Sequence, residues 1–264
     1  MKRTANKLLT LILVAAPLAA EEPANKPKPG DMVLVPGAVF TMGHPESTDM
    51  PPHKVQISTF WMDTFEVTNA EYHAFCEATG HQPPVFWGLE RFRSSLDYPD
   101  HPVIGVSNSS AKKYAEWAGK RLPNEAEWEF AARGGMTNLR FDNSDEITIE
   151  DANYKKTDND GPVAVGSYRP NGYGLYDMIG NAREHVADFW SVFEGNPEVI
   201  LEDPKGPEDG HWRVIRGGGW FSGAMCNGVS SRNVLASNWS DFNVGFRCAK
   251  DIEEDHETEG LEDD

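Results

Sequence analysis

The chain has 264 residues and a formal net charge of −18, and 39% of its residues are hydrophobic, including 8 Trp and 13 Phe. These values predict a folded domain with a sizeable core, while 24 Gly and 18 Pro indicate that much of the chain forms loops. The strong negative charge argues against nucleic acid and anionic membrane surfaces as partners.

The N-terminal segment, residues 1–20, has the pattern of a secretory signal peptide. Three basic residues precede an apolar run from Leu8 to Leu18, and Ala19-Ala20 provides small residues for cleavage. The apolar run is too short to span a bilayer comfortably, so we expect no membrane span after cleavage. The sequence therefore predicts a secreted or periplasmic protein.

Two polar segments flank a predicted domain of residues 32–250. Residues 21–31 are rich in proline and charge and have no apolar periodicity, which indicates a flexible linker. Residues 251–264 contain nine acidic and no basic residues, which predicts a disordered acidic tail. No repeat or interdomain linker interrupts residues 32–250, so we expect a single domain.

The first half of this domain begins with predicted strands. Residues 32–43 alternate apolar and small side chains around a turn, which predicts two strands, and residues 53–67 predict further β-structure. Thr68 and Glu71 then form the capping box of a helix that ends at Gly80.

Two more helices are predicted, one over about Ser109–Ala118 and one from Asn124, its N-cap, to Arg133. Residues 81–101 and 136–172 lack periodicity and are expected to form loops. A loop as long as the second is unusual unless it binds something. Few helices, short strands and long loops predict one irregular α+β domain.

The C-terminal part is predicted to form two strands around a glycine-rich turn. Arg213–Arg216 is followed by Gly217–Gly219 and Trp220, and Asn243–Cys248 is the second strand. Glycine permits positive φ and close approach of backbone segments, so these positions suit a sharp turn. The two strands would form a frame that presents the loop between them as a surface.

Four motifs, in this order, resemble the formylglycine-generating enzyme family, the sulfatase-modifying factors. They are Met32–Gly43 (MVLVPGAVFTMG), Gly119–Gly135 (GKRLPNEAEWEFAARGG), Asn171–Asp188 (NGYGLYDMIGNAREHVAD) and the pair RGGGW and NVGFR within residues 213–248. The resemblance spans nearly the whole predicted domain. It implies an α+β fold, a single loop-rich domain with little regular structure: the formylglycine-generating-enzyme fold, which is related to C-type lectins.

Active members of this family oxidise a substrate cysteine with oxygen, using Cu(I) held by two cysteine thiolates that follow the glycine turn. Soft Cu(I) suits such a pair. Here Ser222 stands at the first position, and Cys226 lies one residue before the second, where Asn227 is aligned. A hydroxyl is a poor ligand for Cu(I), so we expect no conventional Cu(I) site, with Ser222 marking the missing cysteine.

The three cysteines have different expected roles. Cys226 lies in a polar loop beside glycine and is the candidate for a reactive, catalytic thiol. The alternatives are a disulfide with Cys248 or an unreactive thiol. Cys76 falls on the apolar face of the first predicted helix, which favours a buried inert thiol.

The resemblance also implies calcium, a hard cation held by carboxylate, amide and carbonyl oxygens. The first site would consist of one side-chain ligand and three residues that lend carbonyl oxygens: Asp177, Met178, Gly180 and Ala182. The second would consist of Asn153, the Tyr154 carbonyl and, to complete it, Asp158 or Asp160. The alternative at each place is an acidic turn without metal.

The family usually has Trp-Glu-Trp where this chain has Arg183-Glu184-His185. Loss of the two tryptophans removes apolar burial beneath the active surface and adds cationic or titratable groups. We expect Arg183, His185 and Trp220 to contribute to binding, with His185 paired to Asp188 on one helical face. A general-base role for His185 is the alternative.

These features predict an exported, calcium-stabilised, divergent family member that binds a polypeptide partner, with a sulfatase as the candidate, and lacks copper oxidase activity. Two alternatives stay open. One is a formylglycine-generating oxidase that converts a sulfatase cysteine by means of Cys226. The other is a C-type-lectin-like surface recognition module, because the fold also resembles variable binding proteins whose C-terminal loop is the binding face.

Overall fold

Ten short strands, three α-helices and two 3₁₀ helices make up the regular structure in the computed structural model, which describes residues 26–137, 139–142, 144–155 and 160–253. The strands are β1 Met32–Val35, β2 Ala38–Met42, β3 His53–Ile57, β4 Phe60–Asp63, β5 Arg183–Phe189, β6 Leu201–Glu202, β7 Trp212–Arg216, β8 Arg232–Ala236, β9 Val244–Gly245 and β10 Ala249–Asp251. The helices are α1 Asn69–Thr79, α2 Asn108–Trp117 and α3 Glu125–Ala132, and the 3₁₀ helices are Glu90–Phe92 and Ala224–Asn227.

The described strands belong to three small sheets rather than one. Their orders are β1-β4-β10, β2-β3-β6 and β8-β7-β5-β9. The two strands predicted within residues 32–43 are confirmed, but β1 pairs with β4 and β2 pairs with β3, so the turn between them carries the chain from one sheet to another. Short strands divided among three sheets give the irregular α+β domain that the sequence predicts.

The helices begin close to the predicted positions. Thr68 and Glu71 form a complete capping box at α1, and Gly80 ends this helix with a φ of 71°. At α3, Asn124 is the N-cap, and its backbone N–H donates to Glu127 Oε2 at 2.7 Å. These contacts satisfy backbone N–H groups that would otherwise lack partners at the start of a helix.

The main core surrounds α3, which packs against β2, β3, β5 and β7. Trp128 is fully buried there, and Phe130 packs on Phe40 with ring centroids 5.1 Å apart. Apolar residues of β3, β4 and the segment that follows β4 are also buried: Val55, Ile57, Phe60, Met62 and Phe65. A second apolar cluster lies between α1, α2 and the C-terminal segment and includes Tyr72, Phe75, Tyr114 and Phe246.

The three cysteines are all free thiols. Cys76 and Cys248 lie in the second cluster, and burial raises the pKa of both. The prediction that Cys76 is buried is therefore confirmed, and its inertness stays a prediction. Cys226 is exposed, so the structure contradicts the alternative of a disulfide between Cys226 and Cys248.

Both predicted terminal segments fall largely outside the described residues. The signal peptide of residues 1–20 and residues 254–264 of the acidic tail are not described, so those expectations stay predictions. Asp251, the first residue assigned to the tail, instead belongs to β10, and its Oδ1 accepts from Arg121 Nη2 at 2.6 Å. Among the described helices, none is long and apolar enough to cross a membrane.

The glycine-rich turn after β7 passes between two asparagine side chains. Gly217 adopts a left-handed conformation with a φ of 67°. A Cβ atom at Gly218 would lie 1.7 Å from Asn227 Oδ1, and one at Gly219 would lie 2.3 Å from Asn243 Oδ1. No side chain fits in this space, so the turn needs glycine for close approach as well as for φ.

Gly218→Ala should destabilise the fold, because the added methyl group would also lie 2.7 Å from the Cα of Asn227 and would displace backbone. Overpacking of this kind typically costs about 1–3 kcal/mol. The matched control is Gly223→Ala, where φ is −67° and no atom lies within 4 Å of the Cβ position. Urea denaturation should show the loss only for Gly218→Ala, and equal stability of the two variants would contradict the packing argument.

Candidate functional site

An open groove lies between the edge strand β8 and the segment that follows the glycine turn. Its volume is about 380 Å³. The lining residues include Arg183, Phe221, Ser222, Cys226, Phe242 and Asn243, together with the middle of β8. Three positions that the sequence singles out, Arg183, Ser222 and Cys226, therefore line one surface.

The Ser222 side chain is buried and accepts hydrogen bonds from three donors. The donors are the backbone N–H of Gly219 at 3.1 Å, Asn243 Nδ2 at 3.1 Å and Arg183 Nε at 3.3 Å. The hydroxyl oxygen thus accepts from converging N–H groups, one of which is cationic. This environment suits a hard oxygen acceptor, whereas a metal cation at the same place would face the Arg183 guanidinium.

Two departures from the usual family pattern therefore meet in space. By the resemblance, Arg183 stands where the family usually has a tryptophan and Ser222 where it has a cysteine, and the two side chains contact each other although they lie 39 residues apart. The Arg183 backbone N–H also donates to the Asn243 carbonyl at 2.8 Å, which holds β5 beside the groove. The sequence shows each substitution but not the contact between them.

Cys226 is the accessible thiol of the groove. It lies in the 3₁₀ helix Ala224–Asn227, and its backbone N–H donates to the Gly223 carbonyl at 3.0 Å. Cys76 and Cys248 are buried in the second apolar cluster and do not line the groove. The groove therefore presents one thiol rather than a pair.

Aromatic rings form part of this surface. Trp220 is buried, and its Nε1 donates to the Phe242 carbonyl at 3.4 Å, so it supports the groove from behind. Phe221 is 44% exposed and packs edge-on against Phe242, with ring centroids 5.4 Å apart. The exposed aromatic side chain is therefore Phe221, which the sequence reasoning missed although it directly follows Trp220.

His185 does not line the groove, and the prediction of a helical pair with Asp188 is wrong. Both residues belong to strand β5, and Asp188 instead accepts from the Glu125 N–H at 2.7 Å. His185 is fully buried, and its Nε2 lies 3.1 Å from the Val106 carbonyl oxygen, to which it donates. Burial lowers the pKa of His185 to about 4, so the ring is a neutral core group at pH 7.

Asp177 begins the loop that matches the first predicted calcium site. It is buried with a φ of 56°, and its Oδ2 accepts from the Gly166 N–H at 2.7 Å. A Cβ atom at Gly180 would lie 2.6 Å from the Asn153 carbonyl oxygen, which also accepts from the Asn181 N–H at 2.8 Å. The two predicted calcium loops therefore contact each other.

Carboxyl groups outnumber guanidinium groups beside this loop. Glu66 is fully buried and accepts from the Ala182 N–H at 2.8 Å. Burial raises the pKa of Glu66, and Asp177 and Glu184 raise it further, whereas Arg247 opposes them. Burial likewise raises the pKa of Asp177 to about 6. A bound cation would relieve this uncompensated charge, so the carboxyl and carbonyl oxygens here fit Ca²⁺.

The other predicted calcium residues have varied surroundings. The Met178 side chain packs in the main core, Asn153 and Tyr154 are buried, and Asp160 is exposed. Asp158 lies outside the described residues. Among the residues that are described, no three His, Cys, Asp or Glu side chains form a group suited to a metal. A calcium ion at these loops would thus depend largely on amide and carbonyl oxygens, as the resemblance implies.

The protein is an irregular α+β domain, with three small sheets around a central helix. Long loops form much of its surface, and the groove lies at the glycine turn. Residues 17–252 match the family described as Sulfatase-modifying factor enzyme 1-like domain. The chain belongs to the formylglycine-generating enzyme family, the sulfatase-modifying factors. The resemblance and the fold predicted from the four motifs are therefore confirmed.

Two relatives and one solved structure illustrate the family. The formylglycine-generating enzyme of Streptomyces coelicolor is 34% identical, over 92% of this chain and 97% of its own length. Serine/threonine-protein kinase pkn1 of Chlamydia pneumoniae is 38% identical over 88% of this chain, which spans only 40% of that relative's length. The structure of PvdO from Pseudomonas aeruginosa has a TM-score of 0.70 and 28% identity, covering 86% of this chain and 100% of that chain.

Buried His185 should make the protein sensitive to acid. Its folded-state pKa of about 4 lies below the ordinary 6.5, so the stability it contributes is full above pH 6.5 and is lost as the pH falls toward 4. By pH 5 the loss is about 2 kcal/mol, at about 1.4 kcal/mol per pH unit. Urea unfolding at pH 7.5 and 5 should show a smaller loss for His185→Gln, which keeps an N–H donor for Val106.

The control for this measurement is His211→Gln, because His211 is exposed. It should retain the acid sensitivity of the unmodified protein. An unchanged pH dependence in His185→Gln would contradict the assignment of His185 as a buried neutral group.

Proposed function

We propose that this family member, after export directed by residues 1–20, binds a polypeptide partner in the groove and lacks copper-dependent oxidase activity. The contact between Arg183 and Ser222 carries this proposal. By the resemblance, this is the place where active relatives hold the first of the two thiolates that bind Cu(I). A hydroxyl and a guanidinium do not fit that soft cation, and Cys226 alone cannot supply the pair.

The groove itself suits an extended polypeptide. Residues of β5, β7, β8 and β9 line it, so the groove lies over one face of their sheet and offers an extended segment a continuous surface. Exposed Phe221 offers an apolar contact beside the polar groups of Arg183 and Asn243. The family description names sulfatase modification, so a sulfatase segment is the first partner to test.

One observation favours the alternative of a formylglycine-generating oxidase. Cys226 is exposed and lines the same groove as Ser222, so a substrate cysteine held in the groove could approach its sulfur. In that alternative, Cys226 would be required for turnover. The two functions therefore differ in whether the substrate cysteine is converted to an aldehyde, which only the oxidase would form.

A fluorescent peptide containing Cys-x-Pro-x-Arg should bind to the reduced protein but remain unmodified when Cu(I) and air are supplied. Binding is measured by anisotropy and the peptide mass by mass spectrometry. Phe221→Ala should weaken binding by about tenfold, as expected for a central aromatic contact. Trp61→Ala is the matched control, because Trp61 is an exposed aromatic residue on β4, in another sheet.

Two results would change this assignment. Formation of the aldehyde that disappears in Cys226→Ala would establish the oxidase alternative. Binding that Phe221→Ala and Trp61→Ala weaken equally would place the peptide elsewhere than in the groove and would contradict the proposed binding surface.

We also propose that calcium stabilises the folded state. The support is the excess of buried carboxyl groups around Asp177 and Glu66, beside a loop that the resemblance implies lends carbonyl oxygens to calcium. Asp177 would supply the side-chain ligand, and the carbonyl oxygens would come from Met178, Gly180 and Ala182. When bound, calcium would neutralise the buried negative charge.

Melting in excess calcium and in chelator should differ by several degrees, because a ligand at one hundred times its Kd adds about 2.7 kcal/mol of stability. Asp177→Asn keeps the size of the side chain and an acceptor for Gly166 but removes the charge, so it should abolish most of the difference. Asp97→Asn, at an exposed acid, should leave it intact. Identical melting curves of the unmodified protein in calcium and chelator would refute the proposal.

A further inference from the structure

A second pocket lies between β3, β6 and the segment that follows β5. Its volume is about 180 Å³, and it shares no lining residue with the groove. Its walls are largely apolar and include Met42, Met50, Phe189, Phe193, Leu201 and Pro204. Nothing in the proposed polypeptide binding or calcium binding uses this pocket.

Asp188 lines this pocket although only 4% of its surface is exposed. Its Oδ2 accepts from the Glu125 N–H, the first of α3, at 2.7 Å. Its Oδ1 receives no hydrogen bond from the described residues. This oxygen lies close to Gly206 in the pocket wall, where an added Cβ atom would be 3.0 Å from it. One carboxyl oxygen is therefore held by the helix, and the other is available to the pocket.

Among the residues that the structure describes, no charged group forms an ion pair with Asp188. Arg232 binds Glu125 through two contacts, at 2.6 and 2.8 Å. Arg213 stacks on the Phe189 ring, with its guanidinium carbon 3.3 Å from the ring centroid, and donates to a backbone carbonyl. Burial, and then the charge of Glu125, raise the pKa of Asp188 to about 7.

His53 adds a second acceptor to the pocket lining. Its Nδ1 lies 2.8 Å from the Pro51 carbonyl oxygen, which can only accept, so Nδ1 carries the proton and Nε2 of the neutral ring is an acceptor. The imidazole stacks on Phe193 with centroids 3.9 Å apart, which fixes its orientation. Asp188 and His53 thus add two acceptors to a largely apolar pocket, which Glu125 and Glu194 also line.

We propose that this pocket binds a small organic cation, an ammonium group on a compact apolar body. An ammonium group donates three hydrogen bonds and accepts none, which complements Asp188 Oδ1 and His53 Nε2. The apolar walls, which include Phe189 and Phe193, receive the body. A cavity of about 150 Å³ accommodates benzene, so a single ring or a short alkyl chain matches the size.

The test compares benzylammonium with benzyl alcohol, two probes of the same shape that differ in charge. Binding is followed by NMR of the methionine methyl groups, since Met42 and Met50 line the pocket, whereas Met225 is exposed and lies outside it. Benzylammonium should shift the signals of Met42 and Met50 and bind at least tenfold more tightly than benzyl alcohol. Because this comparison uses the unmodified protein, it does not depend on whether a variant folds.

Asp188→Asn keeps an acceptor for the Glu125 N–H but removes the charge, so it should bring the ratio of the two affinities to about one. Glu198→Gln, at an exposed acid outside the pocket, should leave the ratio unchanged. Equal affinity of the two probes for the unmodified protein would overturn the proposal. So would shifts confined to Met225, or a ratio that Glu198→Gln lowers as much as Asp188→Asn does.

Discussion

The buried ion pair between Arg247 and Glu184 is the interaction on which the arrangement of the other elements depends. Arg247 Nε and Nη2 donate to the carboxylate at 2.8–3.0 Å, and Trp128 Nε1 donates to the same group at 2.7 Å. Nη2 also reaches the Tyr176 carbonyl at 2.8 Å. One charge pair thus joins α3, β5, the segment before β10 and the Asp177 loop. Removing one partner of such a buried pair typically costs about 3–5 kcal/mol.

This ion pair also determines where the groove lies. Glu184 is adjacent to Arg183 in β5, so fixing Glu184 in the core fixes the strand position from which Arg183 contacts Ser222. On the other side, fully buried Arg216 binds Glu129 of α3 and so holds the residue that precedes the glycine turn. The arginines of RGGGW and NVGFR are therefore structural. They do not line the groove, but they position both of its sides.

Local signals in the sequence predicted local structure well. The capping residues Thr68 and Asn124 and the glycine turn each act through near neighbours or backbone geometry, which a sequence pattern records directly. The pairing of ten strands in three sheets could not be predicted this way, because the partners lie far apart in the chain. β5 was missed for a related reason: its polar residues, such as Glu184 and His185, are buried against distant partners, so the strand lacks an apolar pattern.

The sequence could not predict the candidate site for the same reason, because its residues are far apart in the chain. The chemistry of the site follows from the contact between Arg183 and Ser222 rather than from either residue alone. A sulfur atom at position 222 would meet the same N–H donors from Gly219, Asn243 and Arg183. Those donors would favour a thiolate, since a nearby cation lowers a thiol pKa, but the guanidinium would oppose a metal cation at that sulfur. Asn227 is buried beside Gly218, so a second thiolate in its place would also alter the packing of the turn. The proposed loss of copper chemistry therefore involves several residues that pack on one another, and a change at Ser222 alone leaves the opposing charge in place.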